Sequence, residues 1–172
     1  DVQGADRGFA MGLMDKPLTD ESFYTSLQDA PKVGLEIEFQ VKTLTHRDHP
    51  NTVEIELTAA DGQRLELVAR SVGGGEVEFT HIDGRPVLFN WAAYEVLVED
   101  PADKVDATSE LLSRLGETLG NPKITTENNL AHLTARCRAT LPSAFYDELR
   151  LLDESGRVWE STPVYFTQVG DP

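Results

Sequence analysis

The sequence predicts an α+β fold in two parts, a helix-plus-antiparallel-sheet domain followed by a ferredoxin-like domain. Three observations carry this. Near the start, apolar residues recur at helical spacing. From Leu35 to Phe89 they alternate with polar residues, interrupted by the tight-turn dipeptides Asp61-Gly62 and Asp83-Gly84. Beyond Ala92 the pattern restarts as strand, helix, strand, strand, helix, strand, the order of a split βαβ unit.

The elements follow in order. Ala5, Phe9, Ala10, Leu13 and Met14 form one face of a first helix. Thr19 or Asp20 can cap a second, with Phe23, Tyr24, Leu27 and Ala30 as its stripe and Pro31 at its end. Leu35, Ile37, Phe39 and Val41 alternate with Glu36, Glu38, Gln40 and Lys42, which predicts a strand buried on one face. A polar loop follows. Val53, Ile55 and Leu57 then pair across Asp61-Gly62 with Leu65, Leu67 and Ala69, and Val77 and Phe79 begin the next strand. Asp83-Gly84 leads into Val87-Leu88-Phe89.

In the second part, which takes residues 92–172 after a junction near Trp91 to Ala93, Glu95 to Val98 is a strand. Asp100 can cap the next helix with Pro101 at its first position, and Val105, Thr108, Leu112, Leu115 and Leu119 form its buried face. Gly120 and Asn121-Pro122 stop it. Asn128-Asn129 turns a hairpin whose second arm puts Ala131, Leu133, Ala135 and Cys137 on one face, and His132, Arg136 and Arg138 on the other. That second face is expected to be solvated or covered by a second copy of the chain. Ser143 can cap a last helix bearing Phe145, Leu149 and Leu152 and ended by Gly156. The closing strand runs from Val158 to Thr167, with Pro163 calling for a bulge or an edge.

Composition narrows the function classes. The chain has 172 residues, enough for one ordinary domain or two small ones. Fifteen basic residues stand against 30 acidic ones, a formal charge of −15, which argues against nucleic-acid and membrane-surface partners. No apolar run approaches a membrane span. One cysteine excludes an internal disulfide, an all-cysteine metal site and a complete iron–sulfur ligand set within one chain. With no secretion signal in view, the expected compartment is the cytoplasm. The chain opens on Asp1 and not on Met, as a trimmed fragment would.

The candidate site is the stretch from His49-Pro50-Asn51-Thr52 to Ser71-Val72-Gly73-Gly74-Gly75. Consecutive glycines carry a high entropy cost and serve where a backbone must turn unusually or approach something closely. Free N–H groups in such a turn can form a nest for a carboxylate or another anion. The competing reading is a glycine-rich hairpin end, with His49 only starting a strand as the residue before Pro50. His46 and His49 share a loop, but no cysteine or carboxylate arrangement completes a metal site. Cys137 reads as a small core residue. No nucleophile triad, phosphate loop or dinucleotide fingerprint is present.

Taken together, these motifs resemble the β subunit of iron–sulfur-dependent L-serine dehydratase. The resemblance begins at Gly4-Ala5-Asp6-Arg7 and Gly12-Leu13-Met14. It continues through Gly34-Leu35-Glu36-Ile37-Glu38-Phe39, the His49 and glycine segments, and Ile82-Asp83-Gly84. It implies an allosteric substrate-binding domain over residues 1–91 and an ACT-like, amino-acid-sensing domain over 92–172. ACT domains usually carry glycine where the first strand meets its helix; this chain has Pro101-Ala102-Asp103-Lys104, which counts against an effector there.

The implied activity is elimination from L-serine to give pyruvate and ammonia. A four-iron four-sulfur cluster would sit on an α subunit or α domain, and none in this chain. His49, Asn51, Ser71, Gly73, Gly74 and Gly75 would contribute to binding L-serine or another small carboxylate. The family's Ser-Ser-Ser-His substrate segment belongs upstream of Gly4, so this chain alone is expected to be inactive. A homo-oligomer is expected. The alternatives are a non-catalytic serine-sensing module, such as the similar domain pair of some phosphoglycerate dehydrogenases, and a scaffold with neither task.

Overall fold

A computed structural model describes residues 4–43, 49–74, 76–90 and 93–162. The chain divides near residue 46 into two compact units. Trp91 and Ala92 in the expected junction, His46, Gly75 and Pro163 lie outside the described residues.

The first unit contains α1 (Ala5–Leu13), which buries Ala10 and Met11. The second expected helix is a succession of short turns: a 3-10 segment Glu21–Thr25, α2 (Ser26–Asp29) and another 3-10 segment Ala30–Val33. Asp20 does cap it, its side chain accepting from the Ser22 N–H. The succession ends on Gly34 in the left-handed region, at φ 82°. Tyr24 is largely exposed, so the expected apolar stripe is only partly used.

The strand expected over residues 35–42 is absent: these residues pair with no other strand among the described residues, although Leu35 and Ile37 are half-buried. Alternation alone specifies a face, while a strand also needs an edge to bond.

The second unit carries two four-stranded antiparallel sheets. The first holds β1 (Thr52–Thr58), β2 (Arg64–Gly73), β3 (Glu76–Ile82) and β4 (Arg85–Phe89) in sequence order. Its turns are those predicted: Asp83 and Gly84 take φ 48° and 75°, and Gly62 takes φ 87°. The second holds β5 (Tyr94–Pro101), β6 (Lys123–Glu127), β7 (Leu130–Cys137) and β8 (Arg157–Ser161) in the order β6-β7-β5-β8. With α3 (Val105–Leu115) after β5 and α4 (Ser143–Leu152) after β7, this is the ferredoxin-like arrangement. The fold is therefore α+β, as expected. No helix among the described residues is long and apolar enough to cross a membrane.

The pleat of β5 explains the layering. Val96 and Val98 face α3 and α4, packing with Leu112, Leu133, Phe145 and Leu149. Leu97 faces the other way and packs with Ile82 and Phe89 of the first sheet, flanked by Phe79 and Trp159. A strand buried on both faces needs cover on both. Here α3 and α4 supply one layer and β1–β4 the other. The side of β7 expected to be solvated or dimer-covered is thus covered by the chain itself at His132, which is only 7% exposed.

Two boundaries differ from those the sequence predicts. Asp100 lies within β5, one residue before its end, instead of capping a helix, and its carboxylate accepts from Thr108 Oγ1. α3 stops at Leu115, before Leu119. At Gly116 a Cβ would lie 2.5 Å from the Leu112 carbonyl oxygen, and the next residue, Glu117, turns left-handed at φ 46°. The Leu119 N–H then bonds the Arg136 carbonyl, which leaves the Leu119 side chain half exposed.

Asp100 also sets a pH dependence. It is 1% exposed, and Oδ1 has no hydrogen-bond partner among the described residues. Burial raises its pKa above the ordinary carboxylate value, outweighing the Thr108 bond that lowers it; Asp153 and Asp103 add to the rise. A raised folded-state pKa means the group's stabilising contribution is full below its unfolded value and is lost as pH rises through the folded value. Asp100→Asn should therefore gain on the wild type between acidic and neutral pH. Urea unfolding midpoints of both proteins measure this, and a difference that stays constant with pH would contradict it.

Candidate functional site

Among the described residues, those of the predicted site fall at one end of the first sheet. The β1–β2 register centres on Asp61, pairing Leu57 with Leu65 and Thr52 with Arg70. One step further the Ser71 N–H bonds the Asn51 carbonyl at 3.1 Å. His49 and Asn51 are thereby brought to the same sheet end as Ser71, although about twenty residues separate them in the chain.

Local bonds fix the first segment. The Asn51 N–H donates to His49 Nδ1 at 3.2 Å, and Thr52 Oγ1 donates to the His49 carbonyl at 2.7 Å. The bond to Nδ1 assigns the neutral imidazole its proton at Nε2, which is left as a donor. His49 and Ser71 are half-buried; Asn51, Gly73 and Gly74 are exposed.

The glycines turn β2 into β3. Gly73 pairs with Glu76 after a register shift, and Gly73 and Gly74 adopt φ 100° and 63°. A Cβ built on either would meet nothing within 4 Å. These residues are therefore required for their backbone angles, and the space beside them is open. The arrangement satisfies the hairpin-end reading and also leaves room for a ligand against the turn. Beside it, Arg70 and Glu78 pair across β2 and β3 at 2.8 Å, so this end of the sheet carries a neutralised charge pair.

A groove of about 350 Å³ lies elsewhere, between α3 and α4. It is lined by Leu111, Leu151 and Leu152, with Arg114 and Glu148 bonded across it. None of the predicted site residues contributes to it.

The lone cysteine does not fit cluster ligation. Cys137 is 1% exposed within the core under α3 and α4, and burial, reinforced by Glu160, pushes its thiol up to about 11. A metal ligand must be a thiolate.

A charged cluster is not apparent from the sequence alone. Asp83, Arg85, Glu99, His132 and Arg157 converge between the two sheets. The signal available was Glu99, directly after the apolar run Val96-Leu97-Val98 of β5, because a charge in a doubly covered strand needs buried partners.

Fold and site together define an α+β protein with a ferredoxin-like arrangement following its first sheet and an exposed, glycine-shaped end to that sheet. Over 153 residues, 87% of this chain and 69% of the other, it is 29% identical to the probable L-serine dehydratase beta chain of Bacillus subtilis (strain 168). Over 112 residues, 64% of this chain and 50% of the other, it is 28% identical to the L-serine dehydratase beta chain of Peptoniphilus asaccharolyticus. The resemblance to serine dehydratase β chains thus extends over most of the sequence. No family model matches the chain.

Proposed function

We propose that this chain is the β subunit, or a β-subunit portion, of a cytoplasmic iron–sulfur L-serine dehydratase that converts serine to pyruvate and ammonia. The observation that carries the reading is the similarity to two β chains named for that activity, one alignment covering 87% of this chain. A β chain implies an α partner, and the cluster belongs there, since one buried thiol is all this chain offers.

In this reading residues 1–91 form the substrate- or effector-binding domain and residues 92–172 the ACT-like domain. His49, Asn51, Ser71 and Gly73 to Gly75 bind the carboxylate of L-serine or a related small acid. Backbone N–H groups of the glycine turn supply donors without a competing charge, while Asn51, Ser71 and the His49 Nε2–H orient the ligand.

The test is co-expression with a cysteine-rich α chain of the same kind of enzyme. The two chains should co-purify in a fixed ratio, and the chain alone should form no pyruvate from serine, with or without reconstituted iron. Pyruvate formation by the chain alone, or failure to associate with any such partner, would contradict the reading.

A further inference from the structure

The cluster between the two sheets joins groups from four strands and one turn. His132 on β7, Glu99 on β5 and Arg157 on β8 occupy one row across the second sheet, because Glu99 is in register with both others. Thr125 of β6 extends the row on the far side of His132. From the first sheet, Arg85 of β4 and Asp83 of the β3–β4 turn reach into this row. Arg85 pairs with Glu99, and its Nε donates to His132 Nε2 at 2.6 Å. Arg157 pairs with Asp83 at 2.7 Å and with Glu99 at 3.5 Å, and lies over the Trp159 ring at 4.4 Å. Asp83 is also anchored to its own sheet, accepting from the Glu66 N–H at 2.9 Å.

One atom is claimed twice. His132 Nε2 accepts from Arg85 Nε, yet it also lies 3.1 Å from Glu99 Oε2. A carboxylate and a guanidinium N–H place opposite demands on a ring nitrogen: the first asks for a proton there, the second for a lone pair. Arg85 keeps its protons at all ordinary pH, so the arrangement seen holds a neutral imidazole. With that imidazole neutral, the two cationic and two anionic side chains balance. A proton added to Nε2 points at Glu99 and removes the acceptor of Arg85 Nε.

Arg85 has somewhere to go. Among the described residues its buried Nη1 has no hydrogen-bond partner, and it lies 4.0 Å from Asp83 Oδ2, just beyond bonding distance.

We propose that His132 operates a proton-driven clasp between the two sheets. In the neutral state Arg85 is tied to His132 and Glu99 on the ferredoxin-like side. On protonation His132 bonds Glu99, and Arg85 moves to Asp83 in its own sheet. The other charged groups on and just after β7, Arg136 and Arg138, are not part of the exchange; Arg136 pairs with Glu95 at 3.7 Å. The proton thus decides whether the β3–β4 turn is bonded across the sheets through Arg85 or held mainly through Arg157.

Nitrogen-15 NMR of the whole labelled chain over a pH series tests this. The His132 ring nitrogens and the Arg85 Nε–H should shift with one common midpoint. In His132→Gln, whose amide oxygen still accepts from Arg85 but takes no proton, the Arg85 resonance should stay fixed. In Asp83→Asn the Arg85 Nε–H should still lose its acceptor when His132 is protonated, but the accompanying change in the Arg85 Nη resonances should be lost, because the carboxylate that receives Nη1 is gone. Asparagine tolerates the φ of 48° at this position and still accepts from Glu66, so the turn is preserved. An Arg85 Nε–H signal that stays constant while His132 titrates would overturn the proposal. So would a proton found on Nε2 at the alkaline end of the range, an undiminished Arg85 Nε–H response in His132→Gln, or an undiminished Nη response in Asp83→Asn.

Discussion

Replacing Phe145 by alanine should remove about 3–5 kcal/mol of stability, enough to leave the second unit near its unfolding limit. The ring is fully buried in the layer between α3, α4 and the second sheet. It also meets Tyr146 edge to face, at 5.7 Å and 89°. Tyr146 in turn donates to Glu160 Oε2 at 2.9 Å, and Glu160 Oε1 accepts from the Leu141 N–H at 2.8 Å. Truncation therefore opens a cavity beside a polar network that positions the start of α4, and neither can close without moving the helix. Leu151, on the same helix and 86% exposed, is the control. Its alanine variant should stay within about 0.5 kcal/mol of the parent. Urea unfolding of both variants reads the contrast, and similar losses would contradict the assignment of this core.

Gly74→Val should abolish binding of small carboxylates and cost roughly 1–2 kcal/mol or more. A left-handed backbone is penalised by about that amount for residues with a Cβ, and a branched one fares worse. Because a Cβ at this position would meet nothing, the stability loss comes from the backbone angle and not from a clash. This permits a discriminating partner variant. Gly74→Asn tolerates the same angle and should keep most of the stability. Binding measured by calorimetry with L-serine, beside thermal unfolding of each protein, separates the possibilities. Loss of binding in a folded Gly74→Asn protein places the ligand against the turn. Undiminished binding in a folded Gly74→Val protein contradicts the assignment of the glycines to a site.

Much of the fold was legible because the pleat writes it into the sequence. Alternating residues from Val53 to Phe89, with Asp-Gly pairs at the turns, define both strand faces and register. That register alone brings Asn51 opposite Ser71. The element order after Ala92 was equally plain. What the chain does not spell out is what covers a face. Leu35 to Val41 has the alternation of a strand but pairs with no other strand among the described residues. The segment after Asp20 meets the same limit in helical form. Asp20 caps it as expected, yet Tyr24 and Leu27 find little to bury against and the segment breaks into short turns.

The ionic cluster was hidden for a related reason. Arg136 and Arg138 are exposed, as a solvated row would be, but His132 in the same row is buried once the first sheet is placed over it. The glycine turn was found because its backbone angles demand glycine, a signal that survives in sequence. What it binds is not a property of those angles.

Whether this chain completes a serine dehydratase is tested most directly by pyruvate formation from L-serine. A purified, cluster-loaded α partner is assayed as this chain is added in increasing amounts. Negligible activity is expected from either component alone, with a rise that saturates at a fixed ratio of the two. Full activity of the α partner without this chain, or no activity at any ratio despite a stable complex, would contradict the β-subunit assignment.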